Sequence, residues 1–168
     1  MQVTANEIDT IEEAGILDQA PVKLLRTKGG FWIAVGKPKG KFKEEALAAG
    51  SHPAIVKYNL EKQYPGFQAS MMKSEAFNNV EIVEKHSHFL SDDLRKSGHD
   101  VYSVQNGNNI EFYITKYDVK VNSFTGSLEN KELVVDKPQV SKEFVRALAG
   151  ATSEKALMSG VSKVKVRE

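Results

Sequence analysis

The chain has 168 residues, 40% of them hydrophobic and 27% charged, with a net charge of +1, which is the balance of an ordinary soluble globular protein. The absence of cysteine excludes disulfide frameworks, thiolate zinc sites and cysteine nucleophiles together. No run approaches the roughly 18 consecutive apolar residues a membrane span requires, and residues 1–20 carry neither a basic residue nor the apolar block of a signal peptide. The expectation is a soluble protein of the cytoplasm or the interior of a virus particle. A chain of this length buries about two-thirds of its unfolded surface, so it needs no metal or disulfide to fold.

The near-neutral total hides a segregation of charge. Residues 1–21 carry five acids and no Lys or Arg, for −5. Residues 22–73 carry ten bases against three acids, for +7, and the remainder is close to balanced, with thirteen bases against fourteen acids. Such asymmetry concerns surface potential and partners rather than fold.

In chain order, Ile8, Ile11 and the Ala14-Gly15 end give residues 5–14 a thin apolar stripe, expected as an acidic helix within an N-terminal arm over 1–21. Residues 22–25 and 31–35 read as two strands joined by Arg26-Thr27-Lys28-Gly29-Gly30, a hairpin with a bulge. Gly36-Lys37-Pro38-Lys39-Gly40-Lys41 is a loop by every breaker rule, and 43–49 is expected as a short helix stopped by Gly50. Ser51 as N-cap and Pro53 in the first turn start a helix that ends at Tyr64-Pro65-Gly66. Residues 67–77 read as strand or helix, and a short strand at 80–83 leads to His86-Ser87-His88.

The clearest stretch is 89–121. Ser91, Asp92 and Asp93 open a short helix, Arg95 and Lys96 close it in the order that suits the helix dipole, and Gly98 stops it. A strand through Val101, Tyr102 and Val104 then meets a return strand over 110–114 across Asn106-Gly107-Asn108-Asn109, a strong hairpin signal. Ile110, Phe112 and Ile114 share one face, but beyond Lys116 the apolar side chains change parity, which predicts a bulge or break there. Phe124-Thr125-Gly126 reads as a turn and 133–135 as a strand. Ser141 caps a helix closing at Gly150, Thr152 caps another to Gly160, and residues 161–168 form a basic strand suited to a sheet edge.

Candidate sites are few. Lys28, Lys37, Lys39, Lys41 and Lys43 flank Phe31 and Trp32, and with Arg26 they form the pattern of basic side chains around aromatics that grips a single-stranded backbone. Gly36-Lys37 fails as a P-loop, because five residues separate Gly30 from Gly36 and Pro38 follows the lysine. His86 and His88 share spacing with paired imidazole ligands, but the position two after His88 is Leu90, so no metal is assigned. No Gly-x-Ser-x-Gly elbow or Gly-x-Gly-x-x-Gly fingerprint is present, and Glu75, Glu81 and Glu84 read as surface carboxylates.

The fold expected is α+β: one domain over 1–168, mainly an antiparallel sheet of hairpins with three to five short helices packed on it. The function expected is non-enzymatic binding of single-stranded nucleic acid through residues 22–43, with no catalytic residue, metal or cofactor. Alternatives are a structural or assembly component of a multi-subunit complex such as a phage particle, and a small hydrolase or transferase with a histidine-centred site. Expected partners are nucleic acid or an acidic protein surface, with a homo-oligomer or larger assembly and no membrane.

Overall fold

The computed structural model describes residues 8–69 and 81–167. The chain is α+β, with mostly antiparallel strands, but they form two sheets rather than the one expected. It packs as two compact units, Met1–Val80 and Glu81–Glu168, each with its own sheet and core.

Unit 1 opens with a four-stranded antiparallel meander: β1 (Ile8–Leu17), β2 (Ala20–Thr27), β3 (Trp32–Gly36) and β4 (Glu45–Gly50). Helix α1 (Pro53–Gln63) follows, and β5 (Gln68–Ala69) pairs with β1, giving the order β4-β3-β2-β1-β5. The helix expected over 5–14 is therefore strand from residue 8 onward. A thin apolar stripe is weak support for a helix, and here pairing on both flanks satisfies the backbone of Gly15 and Ile16, which bond to β2 and β5. The rest of the acidic arm, residues 1–7, lies outside the described residues, as does the strand or helix expected over 70–77.

The helix expected over 43–49 is also a correction, because Glu45–Gly50 is β4. Ala and Leu favour helices, but the β3 edge offers a ladder, and α1 packs on the small side chains. A Cβ on Gly50 would lie 2.8 Å from Ile55 Cγ2, so the close seat of α1 needs glycine there. The N-cap of α1 is His52 rather than Ser51: its Nδ1 accepts the Ala54 N–H at 3.0 Å.

Unit 2 runs β6 (Ile82–Lys85), a single 3-10 turn (Ser87–Phe89), α2 (Asp92–Lys96), then the meander β7 (His99–Asn106), β8 (Asn109–Lys116), β9 (Val119–Glu129) and β10 (Glu132–Asp136). Helix α3 (Lys142–Met158) crosses over and places β11 (Lys163–Arg167) parallel to β10, so the sheet order is β11-β10-β9-β8-β7-β6. The described residues thus contain three α-helices, only one of them long. None is long and apolar enough to cross a membrane.

The 89–121 stretch folds as read. Ser91 Oγ accepts the Leu94 N–H, Gly98 has φ +87°, and Asn106 pairs with Asn109 across a turn in which Gly107 has φ +62°. The change of parity beyond Lys116 is the break expected there. It is a two-residue turn, Tyr117-Asp118, with φ +46° and +68°, preceded by a register irregularity at Ile114/Thr115. The turn expected at 124–126 is instead the middle of β9, where Phe124 stacks on Phe112 at 4.8 Å and Gly126 lets β10 approach. The two helices expected on either side of Gly150 are one, because the Phe89 ring lies against the Gly150 backbone where a Cβ would sit. The glycine there makes room for the ring and does not stop the helix.

Register places Glu84, Ser103, Phe112 and Phe124 side by side on one sheet face, with Ile110 and Ile114 on the same face of β8. Ala147, Leu148 and Ala151 of α3 pack on the apolar part of that face. Toward β6 the face turns polar, and that is where the second candidate site lies.

Candidate functional site

The lysine loop of unit 1 is held at its base. Residues 38–40 form a 3-10 turn in which Lys39 takes φ +48°, and the Lys39 N–H donates to Asp18 Oδ2 in the β1–β2 turn at 2.7 Å. Lys41 Nζ bonds Glu45 at 2.9 Å, which holds its ammonium above its ordinary value, and Lys23 bonds Glu44 at 3.3 Å. Lys37, Lys39 and Lys43 are exposed and make no ion pair among the described residues.

The expected seven-residue patch divides in two. Arg26, Lys28 and Trp32 stand at the start of β3, where Arg26 pairs with Trp32 and its guanidinium lies 5.7 Å from the indole centroid. Lys37, Lys39, Lys41 and Lys43 follow the other end of β3, about 13 Å away at ~3.3 Å per residue. Trp32 packs half-buried against the unit 1 core, so its ring is covered on the core side and approached by Arg26. The ring offered to solvent is Phe42, 95% exposed between Lys41 and Lys43. Its signal was available in the sequence, as an aromatic residue flanked by lysines after a glycine.

In unit 2 the histidines converge with residues distant in sequence. His86 is fully buried, its Nδ1 2.8 Å from Glu154 Oε1 and its Nε2 2.7 Å from Ser103 Oγ. The exposed His88 places Nε2 2.7 Å from Glu154 Oε2. Beside them Lys155, 1% exposed, bonds Glu84 Oε1 at 2.8 Å. This arrangement follows from the strands. Glu84 and Ser103 face α3, and a carboxylate and a hydroxyl on a core face need partners, which α3 and the 3-10 turn provide. Glu84 was expected as a surface carboxylate; α3 covers it.

Burial lowers the His86 pKa, outweighing the upward pull of Glu154 and Glu84, so the ring is neutral: Nδ1–H donates to the carboxylate and Nε2 accepts the Ser103 O–H. For Glu154, burial acts to raise the pKa, but the hydrogen bonds from His86 and His88 prevail and hold the carboxyl below its ordinary value.

Ser103, His86 and Glu154 follow the connectivity of a serine–histidine–acid relay. A nucleophile must reach its substrate, however, and Ser103 is 0% exposed. The arrangement serves to join α3 to β7 through the 3-10 turn. Among the described residues no cluster of three or more His, Asp or Glu is arranged to hold a metal. No protein-family model, curated protein or solved structure matches this chain.

Proposed function

We propose that unit 1 binds single-stranded nucleic acid through residues 37–43, with Phe42 as the stacking ring and Lys37, Lys39 and Lys43 as the phosphate contacts. The observation that carries this reading is the exposure of Phe42, 95%, between two lysines. Exposing a whole phenyl ring wastes burial worth about 2 kcal/mol unless something covers it, and a base stacked on an aromatic contributes about 1–3 kcal/mol. Self-repulsion among the neighbouring ammonium groups points the same way, since phosphates offset it. Arg26, Lys28 and Trp32, at the far end of β3, extend the track rather than form its centre.

Anisotropy of a labelled oligo-dT at several salt concentrations tests this. Three phosphate contacts give a slope of log K against log salt of about −2, and Lys39→Ala with Lys43→Ala flattens it by about 1.4. Phe42→Ala weakens binding at every salt concentration and leaves the slope unchanged. Absence of binding at low salt overturns the proposal and leaves the loop as a contact for an acidic protein surface.

A further inference from the structure

β11 ends the unit 2 sheet, hydrogen-bonded to β10 on one side. Its register sets Val164 beside Leu133 and Val166 beside Val135, on the face covered by α3, while Lys163, Lys165 and Arg167 take the other face. Along this edge runs an apolar cavity of ≈390 Å3, lined by Val135, Val145, Leu148, Ala149, Val164 and Val166. Val145, Val164 and Val166 remain 53%, 37% and 49% exposed, so the cavity opens outward along the strand.

The basic side chains of β11 differ in their partners. Arg167 bonds Asp136 and Ser127, both at 3.0 Å, and is tied back onto the sheet. Lys163 and Lys165 make no ion pair among the described residues. Three features therefore coincide on one edge: a ladder with no pairing strand among the described residues, an apolar cavity on one face of the strand, and two positive charges without an ion pair among those residues on the other.

We propose that β11 accepts an acidic, extended segment of a partner protein as an added strand. Residues directly opposite in a sheet point to the same face. In an added strand, alternate apolar side chains thus enter the cavity beside Val164 and Val166, and the intervening carboxylates face Lys163 and Lys165. The backbone ladder supplies affinity and the alternation supplies specificity. The same lysines exclude a second copy of β11, which would set like charges opposite one another. This contact is independent of the 37–43 loop, which lies in the other unit.

The test uses the full chain with a blocked, labelled peptide of alternating Glu and Val, and its Lys–Val counterpart as control. The Glu–Val peptide is expected to bind more weakly as salt rises, and hydrogen exchange should slow at residues 163–167. Lys163→Glu with Lys165→Glu, both on exposed positions, should weaken it about tenfold and turn the preference toward the Lys–Val peptide. Val145→Asp, at the cavity mouth, should weaken both peptides in that charge-reversed background. The proposal is overturned if the Glu–Val peptide does not bind at about 1 mM, or if the two peptides bind equally. Protection confined to other strands, or self-association of the free protein through β11, overturns it as well.

Discussion

Both units rest on a four-stranded antiparallel meander followed by a helix and a short strand, yet they dispose of polar groups in opposite ways. In unit 1 the described buried residues are apolar except Thr27, and the charge is displayed on the loop that follows β3. In unit 2 the buried set includes His86, Ser103 and Lys155, joined to Glu154 and Glu84. The difference traces to helix length and seat. The eleven-residue α1 sits on the small residues of β4, and the chain then returns to the far edge beside β1. The seventeen-residue α3 reaches toward β6 and β7, where Glu84 and Ser103 share its face, before placing β11 parallel to β10. A longer helix covers more sheet, including polar positions that must then be satisfied.

The largest effect is expected from Lys155→Ala, which leaves Glu84 facing α3 without its cation and should cost about 3–5 kcal/mol, the range for breaking a buried pair. Replacing both partners, Lys155→Met with Glu84→Leu, should recover most of the loss, read as urea midpoints. If the single and double variants were equally unstable, the pair would not be what holds α3 there.

His86→Gln is next, at about 2 kcal/mol for the disrupted buried hydrogen bonds, and it also tests the contrast in pH response. Folding favours neutral His86, so the unfolded chain takes up a proton first as pH falls past 6.5, and stability falls with it. The depressed Glu154 acts in the same direction at lower pH, its contribution full above 4.5 and lost on further acidification. His86→Gln should flatten the decline between pH 7 and 5. The lone tryptophan, Trp32, reports unit 1, so its fluorescence should change little with pH over that range while the tyrosine signal of unit 2 follows the loss. Equal acid sensitivity of both signals would remove the contrast.

Gly107→Val should cost about 1–2 kcal/mol, entirely from the positive φ, because nothing lies within 4 Å of an added Cβ. Unfolding midpoints check it, and an unchanged midpoint would place the turn elsewhere. The smallest effect is a gain: Lys131 holds φ +62° in the β9–β10 turn, so Lys131→Gly, creating Asn-Gly, should stabilise unit 2 by about 0.5 kcal/mol. A loss of stability would mean that the Lys131 side chain matters more than its backbone.

These effects also mark what was legible. The apolar side chains of the strands and helices read from the sequence, Leu24, Ile33, Ile55, Leu60, Val101, Ile110, Phe112, Ile114, Val134 and Leu148, are buried, while Val35 and Phe144 are partly so. Phe42 is legible as an aromatic between two lysines, but its 95% exposure is a property of the folded chain. The histidine network was out of reach because Glu154 lies 68 positions from His86 and reads in isolation as a solvated helix residue.

The amino-acid sequence by itself determined the hairpin through Gly107, the capped helix at Ser91 and the change of strand near Lys116. Each depends on neighbours within a few positions: a glycine for positive φ, a hydroxyl for a free N–H, and a period of two. Tertiary structure alone decided that Glu45–Gly50 is a strand despite its helix-forming alanines, and that 142–158 is one helix despite Gly150. It also decided that Glu84, His86, Ser103, Glu154 and Lys155 meet. In each case a partner distant in sequence, the β3 ladder, the Phe89 ring or the polar end of the sheet face, outweighed a local preference of about 1 kcal/mol or less per residue.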